Sequence, residues 1–501
     1  MKNKTEIKSA AAHTWCNPLP IPQIPRGKDE WYRGEPGMFN HENKPARDTY
    51  PDYRSISDPT VFYHGGKWYL YPSYGMAWVS EDFQNWKHHR TDPYCPKYSP
   101  TIVPWKGKFL LTSWNCPLYL ADNPLGPFEL LGDFVLPNGT PFKPCDPGMF
   151  ADDDGRLYLY TTERWRREGS DEREMLIVGY ELNPNDPCHI IRGPVRILTL
   201  DAEHKPWERM GLHGQDTSFG WVEGPHLLKH NGRYYMIYAA PDTRMANYCM
   251  AVYYSDNSPL DGFQCQRRNP LTLHTSGIVS GAGHGCVEHG PNGSLWAFYT
   301  IATPCTHHYE RRIGMDLVDV DENGELYCPF GVTDTPQYVP GYIENPTAEG
   351  NSPMLYPLTG GIRPKASSNA PGRDPFYATD ESNRSWWQPA HGDNEPWIEL
   401  DLEAAYRVSA LRLFWRDVGI DYAKGIVPVP IGFVLEGARQ GEWFTLLDAS
   451  DAAEEKNIDY RILEDAVCDR IRLRITSRNR DMEIGLCDLA VFGVLAEKTR
   501  V

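Results

Sequence analysis

Short aromatic-rich runs separated by turn residues, rather than long stretches with a 3.6-residue period, set the pattern of this chain. In "WVEGPHLLKHNGRYYMIYAA", Trp221 to Ala240, the second half alternates like a strand and Asn231-Gly232 supplies a tight turn. The same figure (a Gly, often a basic residue, then an aromatic strand) recurs at Gly66, Gly107, Gly155, Gly232 and Gly293. Further strands follow, as in "MAWVSED", "PLYLADN", "MLIVGYEL" and "YCMAVYYSD". Imperfect repeats of about 40–45 residues, each a small antiparallel sheet, predict a five-bladed β-propeller. The spacing is irregular, with its longest gap between Gly155 and Gly232. An irregular β-sandwich with chance hairpins is the competing expectation.

From about Phe330 the texture changes. "PFGVTDTPQYVPGYIENPTAEGNSP" and "TGGIRPKASSNAPGRDP" are rich in Pro, Gly and Ser without strand alternation, as in a linker. Beyond them "PWIELDLEAAYRVSALRLFWR", "IGFVLEGARQGEWFTLLD" and "CDRIRLRITSRNRDMEIGLCDLAVFGV" alternate with period two. They predict a separate β-sandwich of about 130 residues. The expected organisation is an N-terminal extension (1–50) packing on the propeller, the propeller itself (51–335), a linker (336–363) and a sandwich (364–501). The fold class is all-β.

Composition narrows the function. Among 501 residues, 16 Trp, 29 Tyr, 43 Gly and 43 Pro suit short strands and many turns. Fifty basic against 67 acidic residues give a net charge of −17, which argues against nucleic acid or an anionic membrane as partner. A neutral ligand fits better, and exposed Trp and Tyr would offer flat faces to sugar rings, although most of these aromatics are expected in the core. The twelve cysteines include no C-x-x-C pair, which removes zinc-ribbon and thioredoxin readings. Scattered thiols and an N-terminus without an apolar h-region make a soluble cytoplasmic protein the expectation, or a secreted one if a leader was removed.

A propeller's chemistry sits at its axis, where the first strand of each blade presents its end. Three blade starts carry an acid beside a proline: "SDPTV" with Asp58, "CDPGMFADDDG" with Asp146, and "VEGPHLL" with Glu223. Similar offsets from the turn are expected to aim all three into one cavity. Turn formation alone is the competing explanation for any one of them. Three acids in one hollow cannot all stay ionised cheaply, so at least one pKa should rise towards neutrality. That would supply a general acid while another stays the base.

Together with "GAGHG", these motifs resemble the family 43 glycoside hydrolases over roughly Ile56 to Gly331. The resemblance implies a five-bladed propeller that inverts anomeric configuration. In it Asp58 is the base that activates water, Glu223 the acid, and Asp146 the residue that orients Glu223. It also implies that His284 lies near the axis, where relatives hold a calcium or similar ion, although a lone His is more often a hydrogen-bonding core residue. No cofactor is required for the chemistry. Arg311 resembles an arginine that contacts substrate hydroxyls near the acid, with the neighbouring Arg312 leaving the register open by one residue. Trp78, Trp114 and Trp165 follow first strands and are expected to line the sugar pocket, unless core packing claims them.

The implied activity is an exo-glycosidase releasing a terminal furanose or pentose, α-L-arabinofuranose first, with β-xylosidase and galactofuranosidase as alternatives. A retaining fructosidase-like propeller is disfavoured, since Arg373-Asp374-Pro375 falls beyond the propeller rather than inside it. A sugar-binding propeller without catalysis is the reading from a different class. The C-terminal region, about Pro364 to Gly493, resembles the discoidin (coagulation factor type C) jelly roll. Trp386, Trp387 and Trp397 match its structural aromatics, and Asp380 falls where relatives place a structural calcium. Ancillary carbohydrate binding and simple packing are both open for this domain.

Overall fold

A computed structural model describes residues 9–23, 55–73, 76–91, 98–166, 173–211, 213–303, 309–420 and 426–496. Five antiparallel sheets surround one axis. The first comprises Thr60–His64, Lys67–Tyr71, Met76–Ser80 and Lys87–Arg90, and the second Thr101–Trp105, Lys108–Thr112, Leu118–Ala121 and Glu129–Gly132. The third, Gly148–Ala151, Leu157–Arg166, Arg173–Asn183 and Asp186–Thr199, gains two short strands from the preceding connection, with Val135 pairing His189 in parallel. Its long hairpins account for the wide gap before Gly232. The fourth is Glu223–His230, Arg233–Ala240, Cys249–Ser255 and Gln264–Cys265. The fifth is Gly283–His289, Leu295–Ala302, Arg311–Val320 and Leu326–Tyr327.

The recurring glycine of the sequence is the turn between the first two strands of every blade. Gly66, Gly107, Gly155, Gly232 and Gly293 all have left-handed φ, between 76° and 84°. The aromatic strand that follows is buried on both faces because blades stack face to face. In Arg233–Ala240, Tyr234, Met236 and Tyr238 pack towards Tyr158 and Tyr160 of blade three. Tyr235 and Ile237 pack towards Leu295, Ala297 and Tyr299 of blade five. Period two is therefore preserved, with each face serving a different neighbour.

Inner strands are tied around the ring. Thr60 Oγ1 donates to Pro100 O (2.7 Å), Met149 N to Thr101 Oγ1 (2.9 Å), and Val61 N to Cys286 Sγ (3.2 Å), which closes blade five on blade one. Residues 9–23 seal that closure from outside. Leu19 N donates to Ile313 O (2.8 Å), and Asn17 exchanges side-chain bonds with the Met315 backbone. Trp15, Leu19 and Ile21 join a core with Trp68, Trp78, Phe83, Trp296 and Phe298. The remainder of the 1–50 extension lies outside the described residues.

The second domain is a β-sandwich. Trp397–Val418 lies between Ile458–Ser477 and Glu483–Leu495, and Gly432–Arg439 and Glu442–Ala449 extend the sheet. The stretch read as a linker is built into both domains. Gln337–Tyr338 pairs with Thr14–Trp15, and Tyr356–Pro357 pairs with Phe492 and Gly493. The chain is thus all-β, a five-bladed propeller followed by a sandwich. Ten cysteines among the described residues are free thiols, and Cys95 and Cys305 lie outside them. No helix among the described residues is long and apolar enough to cross a membrane.

Candidate active site

One residue at the head of each inner strand adopts left-handed φ: Asp58 (52°), Ser99 (45°), Asp146 (47°), Gly224 (57°) and His284 (44°). Four of the five precede a proline. For a non-glycine residue this conformation costs about 1–3 kcal/mol, which the surrounding ring must offset. The strain turns each chain into its strand at the axis and aims the side chain of the turning residue into the hollow. Blade four departs from the expected common offset. There the turning residue is Gly224 and the acid stands one position earlier, with Glu223 opposite Ala239. The imidazole of His284 occupies the space a side chain at 224 would need, since a Cβ there would lie 2.6 Å from its Cδ2 and Nε2 atoms. An acid fits only at 223.

Asp58 is buried and saturated with donors. Its Oδ2 accepts from Ser73 Oγ (2.6 Å) and Ser57 Oγ (3.0 Å); its Oδ1 accepts from Arg311 Nη1 (3.0 Å) and faces Thr300 Oγ1 at 3.4 Å. Its backbone N donates to the same Thr300 hydroxyl (2.8 Å). Burial alone pushes the carboxyl pKa up, but Arg311, His284 and the two serines outweigh it and hold it below the usual range. Removing Arg311 would leave a buried charge unpaired, a change that costs about 3–5 kcal/mol in comparable pairs.

Asp146 and Glu223 are treated in the opposite way, although each keeps part of its surface open to the hollow. Burial lifts the Asp146 pKa and the charge of Asp58 adds to it, while His284, a hydrogen bond from Ser99 and Arg311 pull against them. Burial and the charge of Asp146 push Glu223 up to about 7. This happens although Trp221 Nε1 donates to Glu223 Oε2 (2.7 Å) and the Tyr248 hydroxyl to Oε1 (2.5 Å). All three carboxyls lie within electrostatic reach of His284.

Arg311 lies on the inward face of its strand, and Arg312 on the outward one, which resolves the register. The structure brings Arg311 to Asp58 rather than to Glu223. His284 directs Nε2 to Ser99 Oγ (3.0 Å) and Nδ1 to Asp58 Oδ1 (3.6 Å). No group of three or more His, Cys, Asp or Glu suited to a metal occurs among the described residues. No cage of protein ligands thus surrounds His284 among the described residues, and an ion at the axis would rest on its imidazole and waters. In the sandwich, Asp380 accepts from Ser385 Oγ (2.6 Å) and Ser382 N (3.2 Å) of its own loop.

The tryptophans divide. Trp114 is half-buried beside the site, its ring edge-on to Tyr98 at 6.1 Å and bonded to Cys145, the neighbour of Asp146. Trp78 is not at the pocket. It is wholly buried between blades five and one, with Nε1 donating to Pro22 O (2.9 Å), because the N-terminal segment needs a large apolar face there. Trp165 also turns away. Its Nε1 donates to Glu163 (2.6 Å) and Arg196 covers its ring at 5.5 Å, whereas Arg164, on the other face of the hairpin, lies 4.3 Å over Trp221. Period two explains the difference, since adjacent residues of a strand face opposite ways.

Residues missed in the sequence are the neutral partners: Ser73, Ser99, Thr300, Trp221 and Tyr248. Ser99-Pro100 repeats the Asp58-Pro59 figure and was legible to a search for any polar residue before the proline, not only acids. Trp221, two positions before Glu223, shares its face.

The family described as "Glycosyl hydrolases family 43" matches residues 40–326, and the "F5/8 type C domain" matches residues 364–489. The propeller and the family match define a glycoside hydrolase. The first match covers more than half of the chain, and the chain belongs to glycosyl hydrolases family 43. A protein named "Xylosidase/arabinosidase" from Bacteroides ovatus is 23% identical over 251 residues, 38% of this chain and 73% of that one. A "Beta-xylosidase" from Xylanibacter ruminicola is 25% identical over 264 residues, 41% of this chain and 77% of that one. Among solved structures, a thermostable family-43 glycoside hydrolase aligns over 58% of this chain and 97% of its own, at 24% identity and a TM-score of 0.47.

Proposed function

We propose that this glycoside hydrolase removes a terminal pentose or furanose from oligosaccharides with inversion at the anomeric carbon. Asp58 acts as general base, Glu223 as general acid, and Asp146 orients Glu223 and tunes its proton affinity. One observation carries this reading: Asp58 is held below the usual carboxylate range while Glu223 is pushed up to about 7. Base and acid must be ionised and protonated at the same pH, and below about 7 this pair meets both demands.

In the proposed step Asp58 takes a proton from a water as that water's oxygen bonds to the anomeric carbon. The glycosidic C–O bond breaks on the opposite face, and Glu223 gives its proton to the departing oxygen. Water is consumed and both carboxyls then exchange protons with solvent. The Thr300 contact to Asp58 is long, and that hydroxyl has a second acceptor in His284 O (3.2 Å). It therefore yields a lone pair of Asp58 to the water most readily. Trp114, Tyr98 and Trp221, each half-buried, supply flat walls for the ring. Asp146, through its charge, keeps the proton on Glu223 until the leaving group needs it.

α-L-Arabinofuranose is the first choice of terminal sugar, with β-xylose next and galactofuranose third. The names of the relatives, Xylosidase/arabinosidase and Beta-xylosidase, support a pentose. The shape of the hollow, not the carboxyls, must separate these. A sugar-binding propeller without turnover is disfavoured by the complete set of acids. A panel of 4-nitrophenyl α-L-arabinofuranoside, β-D-xylopyranoside and β-D-galactofuranoside tests the proposal. Release from the first, abolished in Asp58→Asn, is expected; binding without release from any of them would overturn it.

A further inference from the structure

The sandwich meets the propeller through one face of the strand Trp397–Val418. Leu411, Leu413 and Trp415 point into the sandwich's own core. Arg412, Phe414 and Arg416 point the other way and are nevertheless buried. Arg416 Nη1 donates to Glu310 Oε1, with both side chains almost fully enclosed. Phe414 packs with Ile278 of the propeller, and the guanidinium of Arg312 lies 5.8 Å from its ring. From a neighbouring loop, Asn383 Nδ2 donates to Ile278 O (3.1 Å), Ser280 Oγ (3.1 Å) and Ala302 O (3.0 Å).

These contacts land on the residues beside those that hold Asp58. Glu310 and Arg312 flank Arg311, and Arg312 Nη1 also donates to Arg311 O (2.7 Å). Ala302 pairs with Arg311 at the end of its ladder, two residues after Thr300, and Thr303 N donates to Glu310 O (2.8 Å). Ala302 N in turn donates to Ser280 O (3.0 Å), four residues before His284. Ladder ends open most readily, so this corner of blade five needs an outside anchor. Because neighbours in a strand face opposite sides, fixing 310 and 312 from outside fixes where 311 points inside.

We propose that Arg416 and Asn383 of the C-terminal sandwich are positioning residues for hydrolysis, clamping the Ala302–Arg311 strand end so that Arg311 and Thr300 meet Asp58. The domain then supports the active site from behind rather than being a detachable appendage. This rests on the reading of Asp58 as base. The titratable and charged groups that face Asp58 are Arg311 and His284 from blade five, Asp146 from blade three and Tyr248 from blade four. Of these, Arg311 is the one whose immediate neighbours the sandwich grips.

The test uses the full chain with Arg416→Met, Arg416→Lys and Asn383→Ala, and Asp58→Asn in parallel. The readouts are kcat, KM and the pH dependence of kcat/KM on the aryl glycoside the wild type cleaves best, with Tm alongside. Displaced Arg311 should cost about tenfold or more in kcat with KM nearly unchanged. The acidic limb should move up by roughly half a pH unit or more, because a buried carboxylate loses its cation. Arg416→Lys should recover part of both effects. If Asp58→Asn keeps its kcat, the base assignment itself fails. If Asp58→Asn is inactive while Arg416→Met and Asn383→Ala keep kcat and the acidic limb, the clamp is refuted, even where Tm falls. Should Arg416→Met fail to fold, Asn383→Ala and Arg416→Lys decide the matter by the same readouts.

Discussion

Gly224 and His284 touch so closely that blades four and five can meet at the axis only without a side chain at 224: a Cβ would sit 2.6 Å from the imidazole. The backbone there is also left-handed, at φ 57°. Gly224→Ala should therefore push His284 off Ser99 and Asp58 as well as straining the turn. Activity is expected to fall by about a hundredfold, the scale of a small misplacement at a catalytic centre. Kinetics on an aryl glycoside, with Tm measured alongside, check this; near-normal turnover would contradict the contact.

Glu223→Gln removes the proton donor but keeps the shape of the side chain. Loss of a general acid costs about 10²–10⁴ on a substrate whose leaving oxygen needs a proton. A dinitrophenolate leaves without one. The ratio of kcat/KM between dinitrophenyl glycoside and natural oligosaccharide should rise steeply in the variant. Equal losses on both would remove Glu223 from that role.

The pH profile of kcat/KM should carry an alkaline limb near 7, where Glu223 loses its proton. Burial is the larger cause of that position, and the negative charge of Asp146 is the next. Asp146→Asn deletes the second cause, so the alkaline limb should move to lower pH and narrow the active range. An upward move would contradict the arrangement.

The same proton couples to stability. Glu223 has a folded pKa of about 7, above its ordinary value of 4.5. The folded state binds the extra proton, so the associated stability is complete below the unfolded pKa and is lost as pH rises through about 7. Glu223→Gln carries no charge to bury and escapes that loss. Its Tm relative to wild type should rise between pH 4 and pH 8, measured by scanning calorimetry. A constant difference would show that the carboxyl is not held protonated.

Much of this is legible in the sequence because propellers repeat. The turn glycines from Gly66 to Gly293 mark every blade, and Asp58-Pro59 and Asp146-Pro147 mark two axis positions that share a left-handed φ. Glu223 is legible as an acid at a strand start, but its one-residue offset is not, because the cause lies in His284, sixty-one positions further on. Trp78 and Trp165 mislead for a related reason. A tryptophan's sequence position gives its strand, whereas burial depends on which neighbour covers that face, here the N-terminal segment and the blade-three hairpin. The second domain's alternation predicts a sandwich, but over 408–417 both faces of the strand Trp397–Val418 are buried. Arg412 and Arg416 are buried there because the propeller and the N-terminal segment cover that face.

The central claim is that ionised Asp58 delivers water to one face of the sugar while protonated Glu223 frees the leaving group on the other. Proton NMR of the hydrolysis mixture in its first minutes, before mutarotation, reads the anomer first released. The account predicts the configuration opposite to that of the substrate, and a first-formed sugar with the substrate's own configuration would contradict it.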